Sequence, residues 1–322
     1  IYLLLQNDNN QMDNQTAKIE EFHILAFSFS KETRLILFVL FLIVYLIGVI
    51  GNSVMITVSC FDLHLHTPMY FFLCNLSLVD LIYTTNILPK LMYILITGNN
   101  TISFIQCFTQ MYFYMFMAST EIMLLALMAY DRYVAICHPL HYTQIMDMRK
   151  CILLVICNWI FECCNASFFT LSSSTFSFCL TNEIRHFFCD TKALGKIACS
   201  NKLLQVMIYI EMSIFGPFPL LLTSYVKIIN SILHIKSIQS RRKVFSTCTS
   251  HLTVLLMFYV TIICTYLRPA TKNSETLDEI FSVMYTAVTP MLNPITYSLR
   301  NKEVKGALKR LVGKKGKYGK QN

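Results

Sequence analysis

Charged residues are scarce in this sequence. Only 14% of its 322 residues are charged, whereas 55% are hydrophobic, and the mean hydropathy is +0.52. A soluble domain carries roughly a quarter charged residues, so the composition excludes a soluble protein and indicates one that crosses a membrane repeatedly. Short segments of alternating polarity, which an outer-membrane β-barrel needs, are also missing.

Motifs of several other membrane-protein classes are absent. No lysine lies in 279–299, where a light-driven pump or opsin would need one for a Schiff base. The His-Glu-x-x-His motif of metalloproteases is missing, and there is no internal repeat typical of transporters. No cysteine follows Cys264, so we expect no palmitoylation of the tail. The protein is therefore expected to be neither a pump nor an enzyme.

Seven long apolar runs are present instead. A bilayer core about 30 Å thick requires about 20 apolar residues per helix. Runs of this kind lie near 35–58, 69–93, 105–130, 150–170, 205–232, 244–267 and 279–299. The sequence thus predicts an all-α membrane protein, with a seven-transmembrane helix bundle over 35–299 between an extracellular segment, 1–34, and a cytoplasmic segment, 300–322.

The C-terminal segment has helical periodicity. Val304, Leu308, Leu311 and Val312 fall on one face of a helix, with basic residues between them. This pattern predicts a short amphipathic eighth helix at the membrane surface, followed by a basic tail.

The N-terminal segment is unusual at its start. The apolar run 2–5 is too short for a signal peptide. We expect Met12 to be the natural start and 1–11 to be an upstream extension. Asn14-Gln15-Thr16 is an acceptor sequence for N-glycosylation.

Basic residues are distributed asymmetrically. The net charge of +9 could suggest a nucleic-acid partner, but seventeen of the 27 basic residues fall on the inner segments if the N-terminus lies outside. This bias fits the positive-inside rule, with an extracellular N-terminus and a cytoplasmic C-terminus. The basic excess is then expected to face anionic lipid and a cytosolic partner rather than nucleic acid.

The motif Met128-Ala129-Tyr130-Asp131-Arg132-Tyr133-Val134-Ala135-Ile136-Cys137 ends the third apolar run. It resembles the motif at the end of the third helix of olfactory receptors, a family of rhodopsin-like G-protein-coupled receptors. Further blocks resemble the same family in the expected order, with Val244 and Val260 as departures from its usual Ala and Gly. These blocks lie at 65–73, 186–190, 243–252, 258–261 and 290–301.

This resemblance implies a function. The His186-Phe187-Phe188-Cys189-Asp190 block looks like the class II, tetrapod-type receptors. Such a receptor is expected in the plasma membrane of olfactory neuron cilia, where a small volatile ligand in the outer half of the bundle activates an olfactory-type stimulatory G protein and raises cAMP. Trafficking chaperones are further expected partners. The alternative is a non-olfactory rhodopsin-like receptor for another small ligand.

Four of the thirteen cysteines are expected on the outer face. Cys107, Cys179, Cys189 and Cys199 allow three pairings. The resemblance selects Cys107–Cys189, which would tie the second outer loop to the third helix, and Cys179–Cys199 within that loop.

Asp80 and Glu121 are acids within apolar runs, which makes them candidates for a site. Both could be protonated and merely hydrogen-bonded. Alternatively they form a sodium site with Asn293, as the resemblance implies. No other cofactor is expected.

The ligand site is expected along the third helix. Met111, Tyr114, Met115, Ala118 and Ser119 share one helical face, a spacing that indicates a packed core more often than a pocket. The resemblance implies a pocket and adds Tyr209, Ser213, Ile262, Tyr266, Val283 and Thr286. Tyr114 stands where amine receptors hold an aspartate, so a neutral ligand with one oxygen function is expected.

Arg132 is expected to contact the G protein. Many related receptors pair this arginine with an acid at the foot of the sixth helix, but that foot is Arg241-Arg242-Lys243 here. Asp131 is therefore the expected partner, and Tyr225 or His251 could help to hold the inactive state. The complete predicted switch set is Asp131, Arg132, Tyr133, Tyr225, His251, Tyr259, Asn293, Pro294 and Tyr297.

Overall fold

A bundle of long helices forms the computed structural model, which describes residues 20–25, 30–178, 181–199, 216–234, 237–266, 274–300 and 302–318. The first four long helices are α1 (Lys31–Phe61), α2 (Pro68–Thr97), α3 (Phe104–Cys137) and α4 (Met148–Ser174). Each is long and apolar enough to cross a membrane.

The second half of the chain completes the bundle. α5 is Phe218–Leu233 and α6 is Ile238–Tyr266. α7 runs from Ser274–Val283 through the π-helical turn Met284–Val288 into Thr289–Arg300, and α8 is Lys302–Tyr318. The predicted seven-helix bundle with a short eighth helix is confirmed, although 205–215 of the predicted fifth segment lie outside the described residues.

The long helices extend beyond the apolar runs because polar residues at their ends satisfy free backbone groups. Ser103 begins α3 with a capping box, in which its hydroxyl accepts from the Gln106 N–H and the Gln106 side chain accepts from the Ser103 N–H. Gly98 ends α2 with a left-handed φ of 75°, and its N–H donates to the Ile94 carbonyl.

α3 lies in the core, whereas α1 lies at the edge of the bundle. Within the apolar 18-residue window of each helix, 72% of the α3 window is buried but only 17% of the α1 window. α1 nevertheless approaches α7 closely, because Asn52 Nδ2 donates to the Pro290 carbonyl at 3.0 Å. A Cβ atom on Gly51 would lie 2.9 Å from Pro294 Cγ, so the close contact between α1 and α7 requires glycine at this position.

A small sheet joins the N-terminal segment to two loops. Its strands are β1 (Glu21–Ile24), β2 (Thr101–Ser103) and β3 (Glu183–Ile184), in the order β2-β1-β3. β1 pairs antiparallel with β2 and parallel with β3. The all-α prediction omitted this sheet, since strands of two to four residues carry too little periodicity to be read from sequence. The side of the bundle with the sheet is called the N-terminal face below, and the opposite side the C-terminal face.

α8 packs against the C-terminal face of the bundle. Val304 and Ala307 are fully buried. Arg310 Nε lies 2.8 Å from Asp62 Oδ2, and Tyr70 Oη donates to Glu303 Oε2 at 2.7 Å. The bond to Arg310 holds the pKa of Asp62 well below its usual value. α8 is thus attached to the loop between α1 and α2 as well as having the predicted apolar face.

Candidate functional site

Two carboxyl side chains lie buried in the middle of the bundle. Asp80 of α2 is 0% exposed and Glu121 of α3 is 1% exposed. Asn293 of α7 donates from Nδ2 to Asp80 Oδ2 at 3.0 Å. The fold therefore brings together the three side chains of the candidate sodium site from three separate helices.

The oxygens of this cluster suit a hard cation. Among the described residues, Asp80 Oδ1, both Glu121 carboxyl oxygens and Asn293 Oδ1 have no hydrogen-bond partner. Carboxylate and amide oxygens are ligands that hard cations accept. Within the same part of the chain no group of three or more His, Cys, Asp or Glu side chains could hold a metal. A sodium site here therefore stays a prediction, in which two carboxyl groups and one amide would be the protein ligands.

The predicted ligand face of α3 points into the bundle towards the N-terminal face. Met111, Tyr114, Met115 and Ser119 are each at most 6% exposed, while Ala118 is half-buried. The Ser119 hydroxyl donates to the Met115 carbonyl at 3.0 Å. These four side chains are therefore packed inside the bundle, and a ligand site beside them stays a prediction.

α6 and α7 supply further predicted side chains. Ile262 and Thr286 are buried, and Val283 is half-buried against the core. Tyr209 and Ser213 lie outside the described residues, as does the side chain of Tyr266. The side chains that the fifth segment would contribute to the predicted ligand site therefore lie outside the described residues.

An aromatic cluster surrounds Tyr114. Its hydroxyl lies 3.1 Å from the hydroxyl of Tyr285. The ring of Tyr83 lies 5.8 Å from the Tyr114 ring, and that of Phe188 lies 4.9 Å from it. Sequence reasoning missed Tyr285 and Tyr83; Tyr285 falls on the π-helical turn, where ordinary helical spacing does not predict which side chains face inward.

The second loop of the N-terminal face covers this cluster. A disulfide bond joins Cys107 at the start of α3 to Cys189 in the loop, as predicted. Gln110 Oε1 accepts from the Cys189 N–H at 2.9 Å. His186 Nε2 lies 3.1 Å from Ser282 Oγ on α7, and burial lowers the pKa of His186. The neutral imidazole therefore suits this contact.

A partly buried ion pair attaches the same loop to α6 and α7. Lys192 Nζ lies 3.2 Å from Asp278 Oδ2 and donates to the Thr265 carbonyl at 2.6 Å. Cys199, at the end of the loop, is disulfide-bonded. The prediction that its partner is Cys179 concerns a residue outside the described part of the chain.

Glu162 is a third buried acid, which sequence reasoning did not single out. It lies on α4, is 6% exposed, and accepts from Asn165 Nδ2 at 3.3 Å. The Ser119 hydroxyl is within hydrogen-bonding reach of its carboxyl group. An acid inside an apolar run at 150–170 was the available signal, by the same argument that identified Asp80.

Arg132 and Asp131 lie near the end of α3 at the C-terminal face. Arg132 NH2 lies 3.2 Å from Asp131 Oδ2. Tyr142, in the one-turn helix Tyr142–Ile145, donates to Asp131 Oδ1 at 2.7 Å. Sequence reasoning missed Tyr142, because its role depends on how the loop folds back onto α3.

The other predicted switch residues occupy different surroundings. Tyr225 Oη lies 2.6 Å from His251 Nδ1, which joins α5 to α6. Tyr259 packs against Phe218, and Tyr297 is buried. Among the described residues the hydroxyls of both tyrosines lack a hydrogen-bond partner.

Tyr133 and Pro294 make other contacts. The Tyr133 hydroxyl lies 2.9 Å from His138 Nε2, on the part of α3 near Lys227. Pro294 lies within α7, against Gly51 of α1.

Comparison with known proteins decides the family. The family model described as "Olfactory receptor" matches residues 41–315. Olfactory receptor 1E16 of Mus musculus is 46% identical over 92% of this chain and 96% of its own length. Olfactory receptor 1M1 of Homo sapiens is 44% identical over 94% of this chain and 97% of its own length. The chain belongs to the olfactory receptor family.

The fold of this olfactory receptor agrees with that assignment. Squid rhodopsin superposes with a TM-score of 0.71 over 89% of each chain, at 16% sequence identity. The chain is therefore a multi-pass plasma-membrane receptor of the rhodopsin-like G-protein-coupled type, not an enzyme, and its family implies a small-molecule ligand and a heterotrimeric G protein.

Proposed function

We propose that this olfactory receptor detects a small, neutral, volatile molecule with one oxygen function, at a site between α3 and α7 beneath the second loop. The observation that carries the proposal is the hydroxyl pair of Tyr114 and Tyr285, 3.1 Å apart and covered by Phe188. Two hydroxyls in apolar surroundings can donate to or accept from a single ligand oxygen.

The receptor signals through an olfactory-type stimulatory G protein and raises cAMP. Its N-terminal face is extracellular and its C-terminal face cytoplasmic, in keeping with the basic excess of the inner segments. It works in the cilia of olfactory neurons, which it reaches with trafficking chaperones.

Ligand binding favours one of two pre-existing arrangements of the helices. In one, the Tyr225–His251 contact holds α6 to α5. In the other, α6 moves outward and Arg132 becomes accessible to the G protein. The buried hydroxyls of Tyr259 and Tyr297 have unused hydrogen-bonding capacity among the described residues, which leaves them able to form new bonds after such a movement.

A cAMP assay of transfected cells against an odorant panel tests this function. We expect responses to neutral oxygen-bearing odorants. Tyr285→Phe, Ser119→Ala and Tyr266→Phe should each change the ranking of those odorants while surface expression stays the same. Thr120→Ala is the matched control for Ser119→Ala, because its hydroxyl makes the same kind of bond, to the Phe116 carbonyl, one position along the helix. If no variant alters any response, the pocket assignment is wrong.

The candidate sodium site stabilises one of the two arrangements in this proposal. Asp80→Ala and Glu121→Ala should each reduce the dependence of ligand potency on sodium concentration. Potassium at equal ionic strength is the control for screening. Retention of the full sodium dependence by both variants would exclude the site.

A further inference from the structure

A groove runs between the ends of α5 and α6 at the C-terminal face. It has a volume of about 340 Å³. Ile229, Leu233 and Phe245 contribute apolar side chains to its lining, and Arg241 and Arg242 contribute charge. The groove is therefore amphipathic, with guanidinium groups beside hydrocarbon.

The groove opens away from the centre of the bundle. Ile229 is 51% exposed, Leu233 67% and Phe245 59%. The inward sides of the same two helices are closed by Tyr225 and His251, which are buried against each other. In a membrane-spanning bundle, an apolar surface that faces away from the core faces lipid.

The depth of the groove corresponds to the edge of the membrane. The Cys137 thiol, at the end of α3, donates to the Lys227 carbonyl of α5 at 3.7 Å. Lys227 Nζ also lies 5.2 Å from the centre of the Tyr133 ring. The groove begins immediately beyond Lys227 along α5, so it lies next to the α3 end that carries Arg132. Lipid headgroups meet protein at such helix ends.

The charge around the groove is of one sign. The segment 227–243 contains five basic residues, and no Asp or Glu occurs anywhere in 212–274. Both arginines of the groove are exposed. Nothing within this part of the sequence can neutralise them locally, so a ligand of negative charge would be attracted.

We propose that this groove binds one anionic phospholipid of the cytoplasmic leaflet. Its phosphate contacts Arg241 and Arg242, whose planar guanidinium groups can each donate two hydrogen bonds to phosphate oxygens. One acyl chain lies along Ile229, Leu233 and Phe245. Because the lipid contacts α5 and α6 together, it favours the arrangement in which these helices are adjacent and lowers ligand-independent signalling.

Native mass spectrometry of the full receptor from nanodiscs tests the proposal. The discs contain phosphatidylcholine alone, or with added phosphatidylserine or phosphatidylinositol bisphosphate. We expect wild-type receptor to retain one anionic lipid. The double variant Arg241→Gln/Arg242→Gln should retain it roughly 10- to 30-fold less, as loss of two basic contacts to anionic lipid implies.

Two further variants separate the groove from general surface charge. Lys305→Gln/Lys309→Gln removes the same charge from exposed positions of α8 and should leave the retained lipid unchanged. Ile229→Trp keeps every charge but fills the apolar part of the groove, and should displace the lipid. Soluble inositol phosphate, which lacks acyl chains, should bind far more weakly than the lipid.

Specific results would overturn the proposal. Equal lipid loss in the two double variants would mean a diffuse basic surface, and undiminished binding in Ile229→Trp would mean that no chain occupies the groove. Unchanged retention of anionic lipid by Arg241→Gln/Arg242→Gln, together with reduced G-protein activation in discs of phosphatidylcholine alone, would assign the arginines to the G protein instead.

Discussion

The two ends of α3 are held in different ways. At the N-terminal face, the Cys107–Cys189 disulfide and the Gln110–Cys189 hydrogen bond fix the helix to the second loop. At the C-terminal face, Asp131 is held by Arg132 and Tyr142, at 3.2 and 2.7 Å. One end is fixed covalently, whereas the other depends on contacts that can exchange partners.

This difference assigns different tasks to the two ends. A native disulfide contributes about 2–5 kcal/mol to stability, and it does not break during signalling. A hydrogen bond to a charged group contributes about 1.5–3 kcal/mol, which is within the differential affinity that a ligand can supply. We therefore expect damage at the N-terminal end to reduce the amount of folded receptor, and damage at the C-terminal end to alter its signalling.

Removal of the disulfide should have the largest effect. Cys107→Ser is expected to lower the stability of the receptor by about 2–5 kcal/mol and to leave little receptor at the cell surface, as measured by antibody labelling of intact cells. Cys157→Ser, at an exposed free thiol of α4, is the control. A Cys107→Ser receptor with normal surface level and thermal stability would show that the two ends do not differ in this way.

Loss of Arg132 should abolish signalling without loss of binding. Arg132→Ala removes the only cation that the structure places against Asp131 within the described residues, and with it the proposed contact to the G protein. We expect no odorant-evoked cAMP but normal surface labelling and ligand binding. Arg149→Ala removes an exposed cation of the same face and should signal normally. Residual cAMP responses in Arg132→Ala would show that Arg132 is not needed for the contact with the G protein.

A smaller effect is expected when Tyr142 loses its hydroxyl. Tyr142→Phe leaves an oxygen of the buried Asp131 without its donor, which disfavours the carboxylate and weakens its hold on Arg132. Ligand-independent cAMP should rise several-fold. Tyr130→Phe, at a tyrosine of the same helix end that packs on Tyr133, should leave it unchanged. A fall in basal cAMP would mean that Tyr142 stabilises the active arrangement instead.

The smallest effect concerns the contact between Asp62 and α8. Because the pKa of Asp62 is lowered in the folded receptor, its contribution to stability is present above the ordinary aspartate pKa of about 4 and is lost as the pH falls further. Arg310→Gln should therefore lower the melting temperature slightly at pH 7. The difference from wild type should disappear in strongly acidic buffer, and a difference that grows with acidity would contradict the assignment.

The helices and the motif at Arg132 were predictable from local sequence, and the first disulfide bond from family resemblance. Apolar runs of bilayer length define a helix wherever they occur, and the motif around Arg132 is contiguous in sequence. The Cys107–Cys189 pairing came from family resemblance, since cysteine count alone allowed three arrangements.

The remaining features depend on contacts between distant residues. Tyr114 and Tyr285 are 171 positions apart, and Tyr285 faces inward because a π-helical turn shifts the register of α7. Tyr142 meets Asp131 only after a short loop has folded back. The sheet consists of three short strands from separate parts of the chain. None of these leaves a periodic pattern in the sequence.

The strand order of the sheet has a consequence for biosynthesis. β1 lies in the middle, yet it is the first of the three strands to leave the ribosome. β2 follows only after α1 and α2, and β3 only after α4. One edge of the N-terminal strand must therefore stay open until two helices have entered the membrane, and its other edge until four have; Cys189 reaches Cys107 in that last step. The second loop can thus close over the bundle only after the first four helices have been inserted in the correct order.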